Sequence, residues 1–341
     1  MNRVRDFNVK HPILAKATGV LITIGLLAIL LSQVNVADIV TTLTSSNPLY
    51  LVAGFFLYAC SYVFRALRFR ILLNGEVGMR DLVNVVCVHN MMNNLLPART
   101  GELSYIYLLN KVHGRNTGEG IATLVIARVF DIITIAGIFL CAVVILQHLS
   151  DTAAQVVPYA LIAVLLSIVL ITTLLKSDKR KILSIIGNLF GRYKLDKNPV
   201  GSRILSKSHE TADSFDALSS ADMRFHLRAL TTTIGLWVSL YTFYYCMALA
   251  MHMDIGYIPA VFASSFAVFT TVLPIQGVGG FGTIEGGWAV GFILVGVPDA
   301  VAVASAFGFH LIMLVYTVFF GVGGYISLKY AGSKPSPEST A

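Results

Sequence analysis

The sequence predicts an all-α polytopic membrane protein made of two inverted repeats, six spanning helices plus two re-entrant helical hairpins. Three observations carry that expectation. The chain is 56% hydrophobic and only 13% charged over 341 residues, with a mean hydropathy of +0.75, the balance of a polypeptide dissolved in lipid rather than of a soluble domain. Its Lys and Arg residues gather in alternate loops, as cytoplasmic loops do under the positive-inside rule. Two apolar regions are each broken after a Leu-Pro into pieces shorter than the about 20 residues a spanning helix needs. The net charge of +7 is dispersed among these loops, which argues against nucleic acid as a partner. Cys60, Cys87, Cys141 and Cys246 lie singly in apolar segments without C-x-x-C spacing, so no disulfide, metal or cofactor is expected.

Taken in order, residues 1–16 carry Arg3, Arg5, Lys10 and Lys16 and read as a cytoplasmic N-terminus. The first membrane repeat covers 17–147. Span 1 is Ala17 to Val34, a run too long for a signal-peptide core and lacking a small-x-small cleavage site. Asn35 to Asn47 holds Asp38 and no basic residue, so it faces outward. Span 2, Pro48 to Phe64, returns to a basic cytoplasmic cluster of Arg65, Arg68, Arg70 and Arg80. The first hairpin, 82–110, consists of the half-helices Leu82 to Leu96 and Leu103 to Asn110 and returns to Lys111 and Arg115 on the same side. Span 3 is Ile121 to Gln147. Within it Arg128 and Asp131, at i and i+3, share a helix face and neutralise each other.

The second repeat covers 148–328. Ser150 to Gln155 lies outside, Val157 to Leu175 is span 4, and the cytoplasmic loop 176–228 follows. In that loop Lys179 to Leu195 mixes basic and apolar residues as an interfacial amphipathic helix does, while Lys197 to Asp222 fits a solvated linker equally well. No Lys or Arg occurs from Ala229 to Leu328. Span 5, Leu230 to Met251, leads outward to Asp254. The second hairpin, 259–297, enters from outside and returns to Asp299, and span 6, Val301 to Leu328, ends at Lys329. Residues 329–341 form a cytoplasmic tail, expected to be disordered from Ser333. Corresponding landmarks in the halves are offset by about 180 residues, as in the repeats of many transporters. Three spans per half turn the second copy upside down.

The hairpin tips concentrate the chemistry. Pro97 and Gly101 break the first helix, which sets Arg99 and Glu102 at membrane depth, where ionisable groups are costly and mark substrate pathways. Thr100 and Thr283 suit N-caps of the returning half-helices, whose N-termini carry positive partial charge. With Arg99, that makes an anion site fitted to a phosphate. Glu102 and Glu285 are placed to pair with Arg99 or Arg128, to hold a proton, or to engage an amine. Asn93 and Asn94, next to His89 and Asn90, line a polar cavity or bond helix to helix. The substrate-binding candidates are therefore Asn93, Asn94, Arg99, Thr100, Glu102, Arg128, Asp131, Thr283 and Glu285, with no catalytic residue nominated. The bland alternative is that the carboxylates cap half-helices, Arg128 and Asp131 pack together, and His310 is a satisfied packing residue. Gly277-x-Gly279-x-x-Gly282 matches a nucleotide fingerprint in letters only; without a preceding strand its glycines serve turning and close packing.

The stretch N-x-L-L-P-x-R-x-G-E from Asn93 to Glu102, the Arg128-x-x-Asp131 pair, and L-P-x-x-G-V-G-G-x-G-x-x-E from Leu273 to Glu285 resemble the lysylphosphatidylglycerol synthase transmembrane-region family, the flippase-like domain proteins. The resemblance spans most of the chain. It implies a membrane region that moves lipid between leaflets. Some members add a soluble aminoacyltransferase domain, for which the polar segments here are too short. Members often carry an Arg near the position of His310. The function implied is a lipid flippase for a phosphate-bearing lipid in the inner (cytoplasmic) membrane, with a membrane lipid of anionic head group as partner. A non-transporting scaffold for envelope-biosynthesis enzymes such as a glycosyltransferase is the alternative. An embedded transferase using Glu102 as base ranks third, since no second catalytic group accompanies it.

Overall fold

The computed structural model describes residues 36–96, 101–147, 220–272 and 278–331, with Ser214. Regular structure among them is helical throughout: α1 (Val36–Thr44), α2 (Pro48–Leu72), α3 (Met79–Leu95), α4 (Glu102–His113), α5 (Thr117–Gln147), α6 (Met223–Ala250), α7 (Tyr257–Val272), a 3-10 turn (Val278–Gly280), α8 (Thr283–Leu294) and α9 (Asp299–Ala331). The expected spans at 17–34 and 157–175, the interfacial stretch 179–195, the tail from 333, and Pro97 to Thr100 lie outside the described residues.

Local chemistry sets the boundaries. Asn47 caps α2 by accepting from Leu49 N at 2.9 Å, with Pro48 in the first helical position. Asp222 caps α6 by accepting from Phe225 N at 2.8 Å. Gly114 ends α4 in the left-handed region, where glycine pays no steric penalty. Four helices, α2, α5, α6 and α9, are long and apolar enough to cross a membrane. By contrast α4 and α8, at 12 residues each, reach only about 18 Å, well short of a hydrocarbon core.

Two boundaries differ from the sequence expectation with consequences for the site. The second span continues to Leu72, so Arg65 and Arg68 lie inside α2 instead of in a cytoplasmic loop. The segment before it, expected as a loop, folds into the short helix α1, whose Ile39 and Leu43 pack with Val303, Ala304 and Phe307 of α9.

In the packing, α2 lies along α6, α3 along α9, and α7 along α5, while α8 packs on both α7 and α9. Phe139 of α5 stacks on Phe262 of α7 at 5.5 Å. Asn84 of α3 donates to Ser327 of α9 at 2.9 Å. Gly287 and Gly291 bring α8 against α7 without an intervening side chain: a Cβ on Gly291 would overlap the Ala263 carbonyl, and one on Gly287 would sit 2.8 Å from Ala267 Cα. Before α8 the chain turns through Gly279, Gly280 and Gly282 at φ of 66°, 75° and 84°, values that suit only glycine in a run. Outward faces stay apolar, with Leu49, Val52, Phe56 and Val63 on α2 and Val315, Phe319, Val322 and Ile326 on α9, as lipid contact requires.

Candidate functional site

Ser61, Arg65 and Arg68 recur at helical spacing along one face of α2, turned toward α5 and α6. Arg68 and Asp131 of α5 are almost wholly buried, at 1% and 3% exposure. Arg68 Nη1 donates to Asp131 Oδ1 at 2.6 Å and Nη2 to Oδ2 at 3.4 Å. Trp237 Nε1 of α6 adds a third donor to Oδ1 at 2.9 Å. Buried this deeply, the carboxylate survives because both its oxygens are engaged, and three helices are tied at one point. The expected Arg128–Asp131 pair exists only as a secondary contact at 3.5 Å. Arg128 Nη2 is given instead to Glu102 Oε1, at 2.7 Å, which fixes the start of α4 to α5.

Three guanidiniums, Arg65, Arg68 and Arg128, thus share two carboxylates, Glu102 and Asp131. Among the described residues, one positive charge is left over. Among the described residues Arg65 forms no ion pair, and its Nε is buried with no hydrogen-bond partner. A charge at bilayer depth costs about 2.5–3.5 kcal/mol even on the most lenient scale, so the cluster is complementary to one anion.

Arg65 and Arg128 line a cavity of about 90 Å³ on which both halves of the chain converge. Asn90, Asn93 and Asn94 of α3 supply its amides, and Tyr58, Tyr62, Trp237 and Tyr244 form aromatic walls. Ile284, Phe309 and Met313 of α8 and α9 close the far side. Tyr62 Oη and Asn93 Oδ1 are buried without partners, so the lining holds unused polar capacity beside the excess cation. Gly101 is what allows this arrangement at the first tip, since a Cβ there would collide with the backbone of Met92 and Asn93.

Of the expected site residues, Asn93, Asn94 and Arg128 meet in the cavity, Glu102 stands behind Arg128, and Asp131 anchors Arg68. Arg99 and Thr100 lie outside the described residues. Thr283 is not the N-cap: Gly282 takes that place, Thr283 is the first helical residue, and its hydroxyl donates to Gly280 O at 2.9 Å. Glu285 points away from the cavity into a fully buried pair with His310 of α9, Nδ1 to Oε1 at 2.6 Å, while its Oε2 accepts Gly282 N at 2.8 Å. Neither residue is therefore a lone packing group. The sequence reading missed Arg65, Arg68 and Trp237. The spacing of the two arginines with Ser61 was the available signal, and the positive-inside rule assigned them to a loop.

A helical, multi-pass membrane protein with a cationic, aromatic-walled cavity among its spans is the class these features define. The chain belongs to the lysylphosphatidylglycerol synthase TM region family, whose model matches residues 16–321. It is also similar to the Glycosyltransferase AglD of Haloferax volcanii, at 24% identity over 355 aligned residues, covering 94% of this chain and 55% of that protein. The chain thus spans about half the length of the curated relative it matches.

Proposed function

We propose that this protein is a flippase that moves a lipid with a phosphate-bearing head group across the cytoplasmic membrane. The observation that carries the reading is Arg65, without an ion pair among the described residues, beside Arg128 on a cavity lined from both halves of the chain. A guanidinium offers phosphate a planar, bidentate fork and keeps its charge at membrane depth. The head group would pass through this cavity while the tails remain in the bilayer.

A correspondence between the two halves supports the reading. Glu102 is the first residue of one 12-residue helix and Glu285 the third of another. Each meets a base on the helix that follows, 26 and 25 residues later. The packing of α3 on α9 is matched by that of α7 on α5, and α2 pairs with its counterpart α6. We read these as inverted repeats whose short helices form re-entrant hairpins at 82–110 and 259–297, with six spans in all and both termini cytoplasmic. Each repeat would gate one side. Glu102 is held by Arg128, which disfavours its use as a catalytic base.

The second reading is an accessory subunit of an envelope glycosyltransferase. It is favoured by the match to a glycosyltransferase across 94% of this chain. Reconstitution separates the two. Purified protein in liposomes should speed leaflet exchange of a labelled anionic phospholipid or polyprenyl-phosphate lipid. Inactivity across that panel, with stoichiometric co-purification of an enzyme, would favour the accessory role.

A further inference from the structure

The two tip pairs differ in one respect. Glu102 faces a guanidinium, Arg128, whereas Glu285 faces an imidazole, His310, a side chain able to gain and lose a proton. Glu285 and His310 are both 0% exposed. Glu285 Oε2 is committed as acceptor to Gly282 N, and Oε1 shares a proton with His310 Nδ1 across 2.6 Å. His310 Nε2 is buried with no partner. With one proton the pair carries a net charge of −1; a second, taken at Nε2, makes it neutral. The neutral form suits a dry interior and the charged form suits water.

The surroundings leave the pair to itself. Phe281 of the tip lies 4.7 Å from the imidazole. From α6 the titratable neighbour is Tyr244, edge-on to Phe309 at 5.3 Å, a phenol that stays neutral near pH 7. On α2, Tyr58 bonds Thr317, about two turns away along α9. On α3, His89 faces Tyr105 of α4, and Cys87 packs by Gly324, about four turns away. Asp81 and Arg80 lie at the opposite end of α3, and α1 contributes the apolar Ile39 and Leu43 to this side of α9. Among the described residues, no other charged group stands within ion-pair reach of either partner.

We infer that Glu285 and His310 form a proton-binding site that couples lipid movement to the transmembrane proton gradient. One proton is held while α8 packs on α9 as here, and released when the pair meets water. Because Oε2 also holds the Gly282 amide, proton loss is linked to the turn that starts α8. The coupling half of the inference rests on the transport reading; proton binding stands without it.

Two measurements test it. Histidine side-chain NMR on the full chain in nanodiscs, assigned with His310→Gln, should show His310 passing between imidazole and imidazolium over the pH range in which the protein stays folded. Glu285→Gln should weaken that proton uptake about tenfold or more. In proteoliposomes carrying a labelled phosphatidylglycerol, a one-unit pH step should bias the leaflet ratio by up to about tenfold if one proton moves per lipid. His310→Arg, which keeps the ion pair but cannot titrate, should exchange lipid without that bias; if it fails to fold, His310→Asn replaces it. A single protonation state across the range would overturn the site. Full bias in the His310 variants, or unbiased exchange by a wild type whose His310 titrates, would overturn the coupling. Absence of any exchange would overturn the transport reading, while the NMR titration still decides proton binding.

Discussion

Asp131→Asn removes a charge from the best-buried point of the cluster while keeping shape and one acceptor oxygen. Among the described residues three guanidiniums stand against two carboxylates, an excess of one positive charge; the variant raises the excess to two. Arg68, 1% exposed, would then lie among Ala127, Thr233 and Trp237 without its counter-ion. Removing one partner of a buried pair costs about 3–5 kcal/mol. Arg68→Gln should cost less, because Arg128 stands 3.5 Å from Asp131 Oδ2 and takes over part of the pairing. The double variant Arg68→Gln/Asp131→Asn restores the original excess and should recover most of the loss, a coupling readable from a double-mutant cycle. Unfolding can be followed by maleimide labelling of Cys87 and Cys246, both buried, after Cys60 and Cys141, both exposed, are replaced by Ser. Wild-type stability within about 1 kcal/mol for Asp131→Asn, or a double variant no better than the worse single, would refute the charge-balance reasoning.

Gly291→Val should separate α8 from α7, because its Cβ meets the Ala263 carbonyl; a loss of about 1–3 kcal/mol in the same unfolding assay is expected, and an unchanged midpoint would contradict the close approach. Topology is tested with single cysteines from Asp254→Cys and Asp299→Cys. An impermeant thiol reagent outside intact cells should label both, and labelling from opposite faces would rule out the second hairpin and the inverted repeat. Trp237→Phe removes one donor to Asp131 and should cost about 1.5–3 kcal/mol, the worth of a hydrogen bond to a charged group; no loss would mean that Arg68 alone holds the carboxylate.

Much of this architecture was legible because lipid imposes simple rules. Helix length and the scarcity of charge between Ala229 and Leu328 marked the long helices α6 and α9 and the short pieces α7 and α8. The Leu-Pro breaks located both places where helices stop. The partners of the charges were not legible. Arg65 and Arg68 sit at the end of an apolar run, where a loop charge and a buried one look alike in sequence, and only the counter-ion 63 residues on separates them. Asp131 illustrates the same limit, since its neighbour on the helix, Arg128, satisfies the local pattern while the stronger bond goes to another helix. Glu285 and His310 were each noticed and never joined, because a pair 25 residues apart across a turn leaves no periodic trace. Helix α1 was missed because its nine residues are too few to register as a span, and the apolar stripe they carry finds its partner only in α9.

Leaflet exchange by Arg65→Gln is the most direct test of an anionic head group in the cavity. Wild-type protein in liposomes should accelerate exchange of a labelled anionic phospholipid. Arg65→Gln, with an unfolding midpoint close to wild type, should lose about tenfold or more of that rate, equivalent to 1.4 kcal/mol, and Arg65→Lys should retain part of it. A folded Arg65→Gln protein that exchanges lipid as fast as wild type would contradict the assignment of the head group to this cavity.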